Sequence, residues 1–261
     1  MRYFLKLSYL GKNYCGWQIQ PHAPSVQESL ENAISTITRE KVEVTGCGRT
    51  DTGVHASEYF AHVDLSQPLP LHFLDRLNKI LPPDIAVAQI LEVPADAHAR
   101  FDAVYRAYAY QIEGRKNPFS CDTATFIYNF SELDFEKMQL AAALLLKYEQ
   151  FFPFCKSNSD AHTMRCNLFR SEWEWNHHTQ TAVYHIAANR FLRGMVRLIV
   201  GMCLNVGLGK LDIHSVEQAL IEQKLLQPSS SAPPQGLALT AVKYPYLLEE
   251  NGLIRLVSLP S

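Results

Sequence analysis

Cysteine pairs of the C-x-x-C type, which clip a zinc ion into a small fold, are absent from the 261 residues of this chain. Its six cysteines (Cys15, Cys47, Cys121, Cys155, Cys166 and Cys203) are scattered. A chain this long can bury a core without a disulfide framework, so a reduced, cytoplasmic setting is expected. No apolar run reaches the ~18 residues of a membrane span. The opening MRYFLKLSYLGKNY alternates and carries charge, as a strand does and a secretion signal does not. Net charge is nearly missing too: 24 Lys and Arg against 26 Asp and Glu leave −2, with a pI near 6.5. Bulk charge alone therefore suggests no polyanionic partner.

One local absence points the other way. Between Trp175 and Leu211 there is no Asp or Glu, while Arg190, Arg193, Arg197, Lys210 and three histidines fall there. Such a segment is either a solvated cationic helix face or a groove for a polyanion. What is abundant is apolar: 47% of residues are hydrophobic and 11% aromatic, as a packed, folded protein requires.

Period-two alternation predicts strands over Arg2–Tyr9, Val42–Cys47, Glu58–Leu65, Ile85–Val93, Tyr105–Glu113, Ala124–Tyr128, Cys166–His177, Thr181–Ala188 and Gly236–Tyr244. A first helix opens at the capping box Ser25-Val26-Gln27-Glu28, with Val26, Leu30, Ala33, Ile34 and Ile37 on one face. Further helices are expected over Leu71–Ile80, Phe135–Tyr148, Phe191–Gly207 and Ile213–Leu225. Strands interrupted by paired helices imply an α+β plan, with helices covering one face of a mostly antiparallel sheet. No internal sequence repeat and no low-complexity segment is evident.

The string most suited to chemistry is Gly46-Cys47-Gly48-Arg49-Thr50-Asp51-Thr52-Gly53-Val54-His55-Ala56. Glycines admit a close backbone approach, and the flanking threonines are stiff and bond locally. One carboxylate is thereby displayed on a rigid turn, with Arg49 near enough to keep it ionised or to meet a phosphate. The residues alone equally admit an Asx turn or cap at Asp51. A phosphate cradle is less well matched, because the G-x-G-x-x-x-x-G arrangement lacks the Lys-Ser/Thr ending of a P-loop.

Residues 48–55 resemble the G-R-T-D-x-G-V-H motif of the tRNA pseudouridine synthase A family. Other blocks match in order. Tyr14-Cys15-Gly16-Trp17-Gln18 with Ser25-Val26-Gln27 resembles Y-x-G-W-Q…S-V-Q, and Leu81-Pro82-Pro83-Asp84-Ile85 resembles L-P-x-D-I. His98-Ala99-Arg100-Phe101 is similar to H-A-R-F, and Arg106-Ala107-Tyr108-Ala109-Tyr110 to R-x-Y-x-Y. Asn189 to Arg197 resembles N-x-F-x-x-x-M-V-R, and Ala232 to Leu237 resembles A-P-x-x-G-L. The chain departs from the pattern at Leu10, where the family commonly has Asp, at Ile19, where it often has Arg, and at Phe151–Phe154, where it usually reads F-T-S-F. These departures bear on RNA affinity and preference.

The resemblance implies the pseudouridine synthase fold, two pseudo-symmetric ferredoxin-like halves (1–104 and 105–261) with a cleft between them. It implies isomerisation of uridine to pseudouridine at positions 38, 39 and 40 of the transfer RNA anticodon stem-loop, by a homodimer, with neither cofactor nor metal. Asp51 would act at the ribose, as a nucleophile on C1′ or a base at C2′. Arg49 would help extrude the nucleotide, Tyr108 would stack on the uracil, and Arg197 would pair with Asp51. Arg190 and Arg193 would meet phosphates or lie at the surface. Phe191, Met195 and Leu237 would wall the site from water or simply pack. His55 is expected to brace the loop, Trp17 to pack it, and Tyr110 to sit in the core. Two alternatives stand beside this: a pseudouridine synthase acting at another RNA position, and a non-catalytic RNA-binding protein on the same fold. A zinc deaminase is excluded by the missing H-x-E…P-C-x-x-C pattern.

Overall fold

The computed structural model describes residues 1–156, 163–250 and 253–256. The chain divides into two compact units, Met1–Tyr105 with the segment from Leu239 onward, and Arg106–Ala238.

In the first unit, β1 (Arg2–Tyr9) is followed by α1 (Val26–Thr38), β2 (Val44–Gly46), β3 (His55–Asp64), α2 (Phe73–Ile80) and β4 (Ile85–Val93). The strand order is β4-β1-β3-β2, with every neighbouring pair antiparallel. This βαββαβ chain with β3 inserted between β1 and β2 is the split βαβ, ferredoxin-like arrangement. Register sets Leu5 opposite both Ala61 and Ile90, so β1 is the central strand. Its Phe4, Leu5, Leu7 and Tyr9 are all buried, because helices cover one sheet face and aromatic side chains the other. Phe4 meets Tyr244 edge-on at 5.3 Å. Helix α1 starts where the capping box requires: Ser25 Oγ accepts the Glu28 N–H at 3.2 Å. Its buried stripe is Val26, Leu30, Ala33, Ile34 and Ile37, the predicted face.

The second unit repeats the pattern with β5 (Tyr105–Glu113), the two-residue β6 (Thr125–Phe126), α3 (Phe135–Leu144), β7 (Leu168–Asn176), β8 (Thr181–Ala188), α4 (Met195–Gly207) and α5 (Ile213–Glu222). Here β8 lies between β5 and β7, antiparallel to both, while β6 runs parallel to β5. Met138, Ala141, Ala142, Trp173, Tyr184, Ile186, Ile199 and Cys203 form the buried core. The α+β class and the predominance of antiparallel pairs follow in both units.

Three further strands follow among the described residues: β9 (Leu237–Lys243), β10 (Leu247–Glu250) and β11 (Leu253–Leu256). β9 lies beside β3, and the Glu58 carboxylate accepts the Val242 N–H at 2.9 Å. Gln89 on β4 bonds both the N–H and the carbonyl of Ile254, at 2.8 Å each. Lys6 reaches Glu58 at 3.1 Å and Glu249 at 2.6 Å. The segment from Leu239 thus packs with the first unit, whereas the expected division at 104/105 left it with the second.

Four helices are shorter than expected: α2 starts at Phe73 rather than Leu71, α5 ends at Glu222 rather than Leu225, and α3 and α4 each lose four residues. The expected helix from Phe191 starts only at Met195, because Gly194 holds φ +70°, a left-handed value outside the helical region. The helix expected to run to Tyr148 ends at Leu144 and tightens into a 3-10 turn over Leu145–Lys147.

Candidate active site

The loop bearing Asp51 leaves β2 at Gly46 and enters β3 at His55. It is fastened on both sides of the carboxylate to the segment that follows β1. The Tyr9 hydroxyl lies 2.9 Å from Thr50 Oγ1, and Trp17 N–H donates to the Thr50 carbonyl at 3.4 Å. Gly53 N–H donates to the Tyr14 carbonyl at 3.3 Å, and Val54 N–H to that of Asp51 at 3.1 Å. Gly11 N–H donates to His55 Nδ1 at 2.8 Å. His55 is buried and braces the loop as expected. Asp51 itself is half-buried, between exposed Arg49 and exposed Thr52.

Glycine permits this approach. Gly16 has φ +91°, and a Cβ there would stand 2.3 Å from the Thr50 carbonyl oxygen. Beneath the loop Trp17 stacks on Tyr59 at 4.1 Å and 27°, and the Tyr59 hydroxyl donates to the Gly48 carbonyl. Trp17 is 3% exposed, so it packs the loop.

The segment that grips the loop is itself held by Asp84, ahead of β4. Tyr14 donates its hydroxyl to Asp84 Oδ1 at 2.6 Å, and Asn13 Nδ2 to Oδ2 at 3.0 Å. Leu10 N–H donates to the Asp84 carbonyl at 2.9 Å. Burial and the bond to Asp84 both push the Tyr14 phenol above its usual range, so it remains a donor.

In the H-A-R-F block, His98 Nδ1 accepts the N–H groups of Arg100 and Phe101 at 3.1 and 3.2 Å. The Ala99 N–H donates to buried His62 Nδ1 at 3.1 Å. Both acceptors must be neutral, and burial lowers both imidazoles, His62 to about 4 with Arg2 and His98 adding to the effect.

In the second unit Tyr108, half-buried, meets Phe191 edge-on at 5.2 Å and 87°. Tyr110 is fully buried: its hydroxyl donates to the Pro233 carbonyl at 2.8 Å and lies 2.7 Å from Thr125 Oγ1. Burial pushes this phenol up to about 12, with Thr125 and Arg197 pulling in the other direction. Arg197, in the first turn of α4, donates Nε–H to the Ala232 carbonyl at 2.7 Å and returns its own carbonyl to Ala232 N–H at 2.9 Å. Met195 and Leu237 are core residues, 0% and 5% exposed. Arg190 is half-buried and Arg193 exposed.

The expected site residues therefore assemble in two sets. Asp51 and Arg49 share one loop in the first unit, while Tyr108 and Phe191 form a contact pair in the second, where Arg197 clamps the 232–237 segment. Sequence reading overlooked the supports: Tyr9, Tyr14, Asp84 and Arg106, whose Nη1 donates to the Asn189 carbonyl at 2.9 Å. Tyr14, Asp84 and Arg106 stand in the matched blocks, which is the signal that could have singled them out.

A family model described as tRNA pseudouridine synthase matches residues 7–102 and 142–245. A tRNA pseudouridine synthase A of Porphyromonas gingivalis is 45% identical over 247 residues, covering 94% of this chain and 97% of the relative. One of Bacteroides thetaiotaomicron is also 45% identical, with 94% and 91% covered. One of Francisella tularensis subsp. tularensis is 34% identical, with 97% and 98% covered. The chain belongs to the tRNA pseudouridine synthase family.

Proposed function

We propose that this protein converts uridine to pseudouridine at positions 38, 39 and 40 of the transfer RNA anticodon stem-loop, with Asp51 as the reacting carboxylate. Asp51 acts on the ribose as nucleophile at C1′ or as base at C2′. The N1–C1′ bond breaks, the uracil turns, and a C5–C1′ bond forms while the C5 proton leaves and N1 gains one. Nothing is added or removed overall, so the reaction needs neither metal nor cofactor. The observation that carries this reading is the Asp51 loop, pinned at Thr50, Gly53 and His55 while its carboxylate-bearing residue stays accessible. A preset carboxylate is what attack on a bound sugar demands.

Base extrusion costs a few kcal/mol, and exposed Arg49 supplies a guanidinium that stacks on bases and binds phosphate. Gly48 borders open space, so a backbone can come close there. Tyr108, half-buried against Phe191, offers a ring face to the uracil. Arg197 contributes a fixed guanidinium charge to the reaction, and Arg190 and Arg193 contact phosphates. The enzyme works in the cytoplasm as a homodimer. Serving neighbouring positions with one site requires readout of shape and backbone more than base identity.

The test is tritium release from C5-labelled uridine in transfer RNA. Asp51→Asn should abolish release while RNA affinity stays within about tenfold, or ~1.4 kcal/mol. Full activity in that variant would refute the assignment. Pseudouridine mapping in a deletion strain separates the runner-up: unchanged positions 38–40 would place the target elsewhere in RNA.

A further inference from the structure

We propose that Asp84 is a positioning residue for the isomerisation, acting through Tyr14 and the 10–17 segment on the loop that carries Asp51. This rests on the reading of Asp51 as the reacting carboxylate.

Asp84 lies 33 positions beyond Asp51 in sequence, outside the 46–56 loop. Its carboxylate instead receives the Tyr14 hydroxyl at 2.6 Å and the Asn13 amide at 3.0 Å, one on each oxygen. Its carbonyl receives Leu10 N–H at 2.9 Å. The turn between Leu10 and Tyr14 is thus tied at both ends to one residue.

That turn in turn grips the Asp51 loop by backbone. Gly11 N–H is the donor to His55, and the Tyr14 carbonyl is the acceptor for Gly53. Continuing along the segment, Trp17 N–H holds Thr50. The residues fixed are one before, two after and four after the carboxylate. The 10–17 segment is a loop, interrupted by one 3-10 turn over Gly11–Asn13, and has no sheet ladder of its own to fix it. Backbone bonds from Cys15 to Pro24, Val26 to Gly16 and Gln27 to Trp17 hold its later half, and the side-chain bonds to Asp84 hold its turn. A charged acceptor makes such bonds stronger than neutral ones, and the depth of Tyr14, 6% exposed, protects its bond from water.

The geometry explains why an acid is useful at position 84. Asparagine can accept the tyrosine hydroxyl through Oδ1, but its amide nitrogen cannot accept from Asn13. Alanine accepts neither. A loop released at this point lets Asp51 wander, and a misplacement of about 1 Å at a reacting group lowers a rate about a hundredfold.

The experiment is single-turnover tritium release at saturating enzyme, with RNA Kd and circular dichroism measured in parallel at a temperature where each variant is folded. Asp84→Ala should slow the chemical step about 10- to 100-fold with Kd within about threefold. Asp84→Asn should recover part of that rate. Tyr14→Phe removes the same link from the other side, and the double variant should be no slower than the slower single, since both break one path. A rate unchanged in Asp84→Ala and Tyr14→Phe overturns the inference, as does a rate that falls only in proportion to the folded fraction or to RNA affinity. Should Asp84→Ala fail to fold, Tyr14→Phe decides the matter by the same criteria. Asp51→Asn, run beside them, keeps the failures apart: activity there refutes the catalytic carboxylate, whereas an inactive Asp51→Asn with unaffected Asp84 and Tyr14 variants refutes only the positioning role.

Discussion

The Tyr9 hydroxyl and Thr50 Oγ1 face each other at 2.9 Å in the buried interior, one residue ahead of Asp51. A strand at the centre of the sheet thereby reaches the candidate catalytic loop directly. Tyr9→Phe takes this bond from the Thr50 hydroxyl, 9% exposed residue that it is, and should destabilise the fold by about 1–3 kcal/mol. Thr50→Val should do likewise. Because one contact is lost in both, the double variant should fall short of the sum by about 1 kcal/mol, read from urea unfolding midpoints. Full additivity would mean the two hydroxyls do not interact.

Much of the scaffold was legible because it is locally encoded. Arg2–Tyr9, Ile85–Val93, Tyr105–Glu113 and Thr181–Ala188 appear with their expected bounds, since alternation there is flanked by turn residues. The start of α4 was misjudged because Phe191 and Leu192 continue an apolar pattern that only the backbone of Gly194 interrupts. β10 and β11 went unread: they are short, and Glu249, Glu250 and Arg255 obscure their alternation. In the site, the Asp51 loop was legible from its glycines and threonines. Its supports were not, because Tyr14 and Asp84 meet across 70 positions and Tyr9 and Thr50 across 41, distances over which no periodicity speaks.

The capped end of α1 provides a control for stability without chemistry. Ser25 is wholly buried and accepts the Glu28 N–H. Ser25→Ala should lower unfolding free energy by about 1 kcal/mol. Turnover of folded enzyme should be unaffected. A large drop in kcat at full occupancy of the folded state would show that the helix start is coupled to the reaction.

Acid should loosen the first unit through its histidines. His62 is held neutral in the fold, with its pKa lowered from 6.5 to about 4 by burial first and then by Arg2 and His98. His98 is lowered as well. The unfolded chain therefore binds more protons between these values, and stability is full above about pH 6.5 and falls as pH drops toward 4. The His62 contribution is on the order of 3 kcal/mol at most. His62→Asn keeps an acceptor for Ala99 N–H but cannot titrate, so its stability should vary less over this interval. Urea midpoints measured from pH 7 to pH 4 check it; parallel profiles for both proteins would assign the acid sensitivity to other groups.

Two adjacent carbonyls in the 232–237 segment are held from different elements: Ala232 by Arg197 Nε and Pro233 by the Tyr110 hydroxyl. Since that hydroxyl has one proton and gives it to Pro233, Thr125 must be the donor in its 2.7 Å contact with Tyr110. The tyrosine is thus fully engaged in holding the segment, and Tyr110→Phe should lose about 1–3 kcal/mol of stability with kcat within about threefold. Arg197 does the same structural task with one nitrogen and carries a charge besides. Arg197→Met should therefore lower stability comparably but lower kcat about a hundredfold or more, and Arg197→Lys, which restores charge without the Nε–H at that position, should recover part of the rate and little of the stability. Comparing thermal unfolding with single-turnover rates for the three variants separates the two tasks. Equal rate losses in Tyr110→Phe and Arg197→Met would mean that Arg197 contributes only by holding the segment.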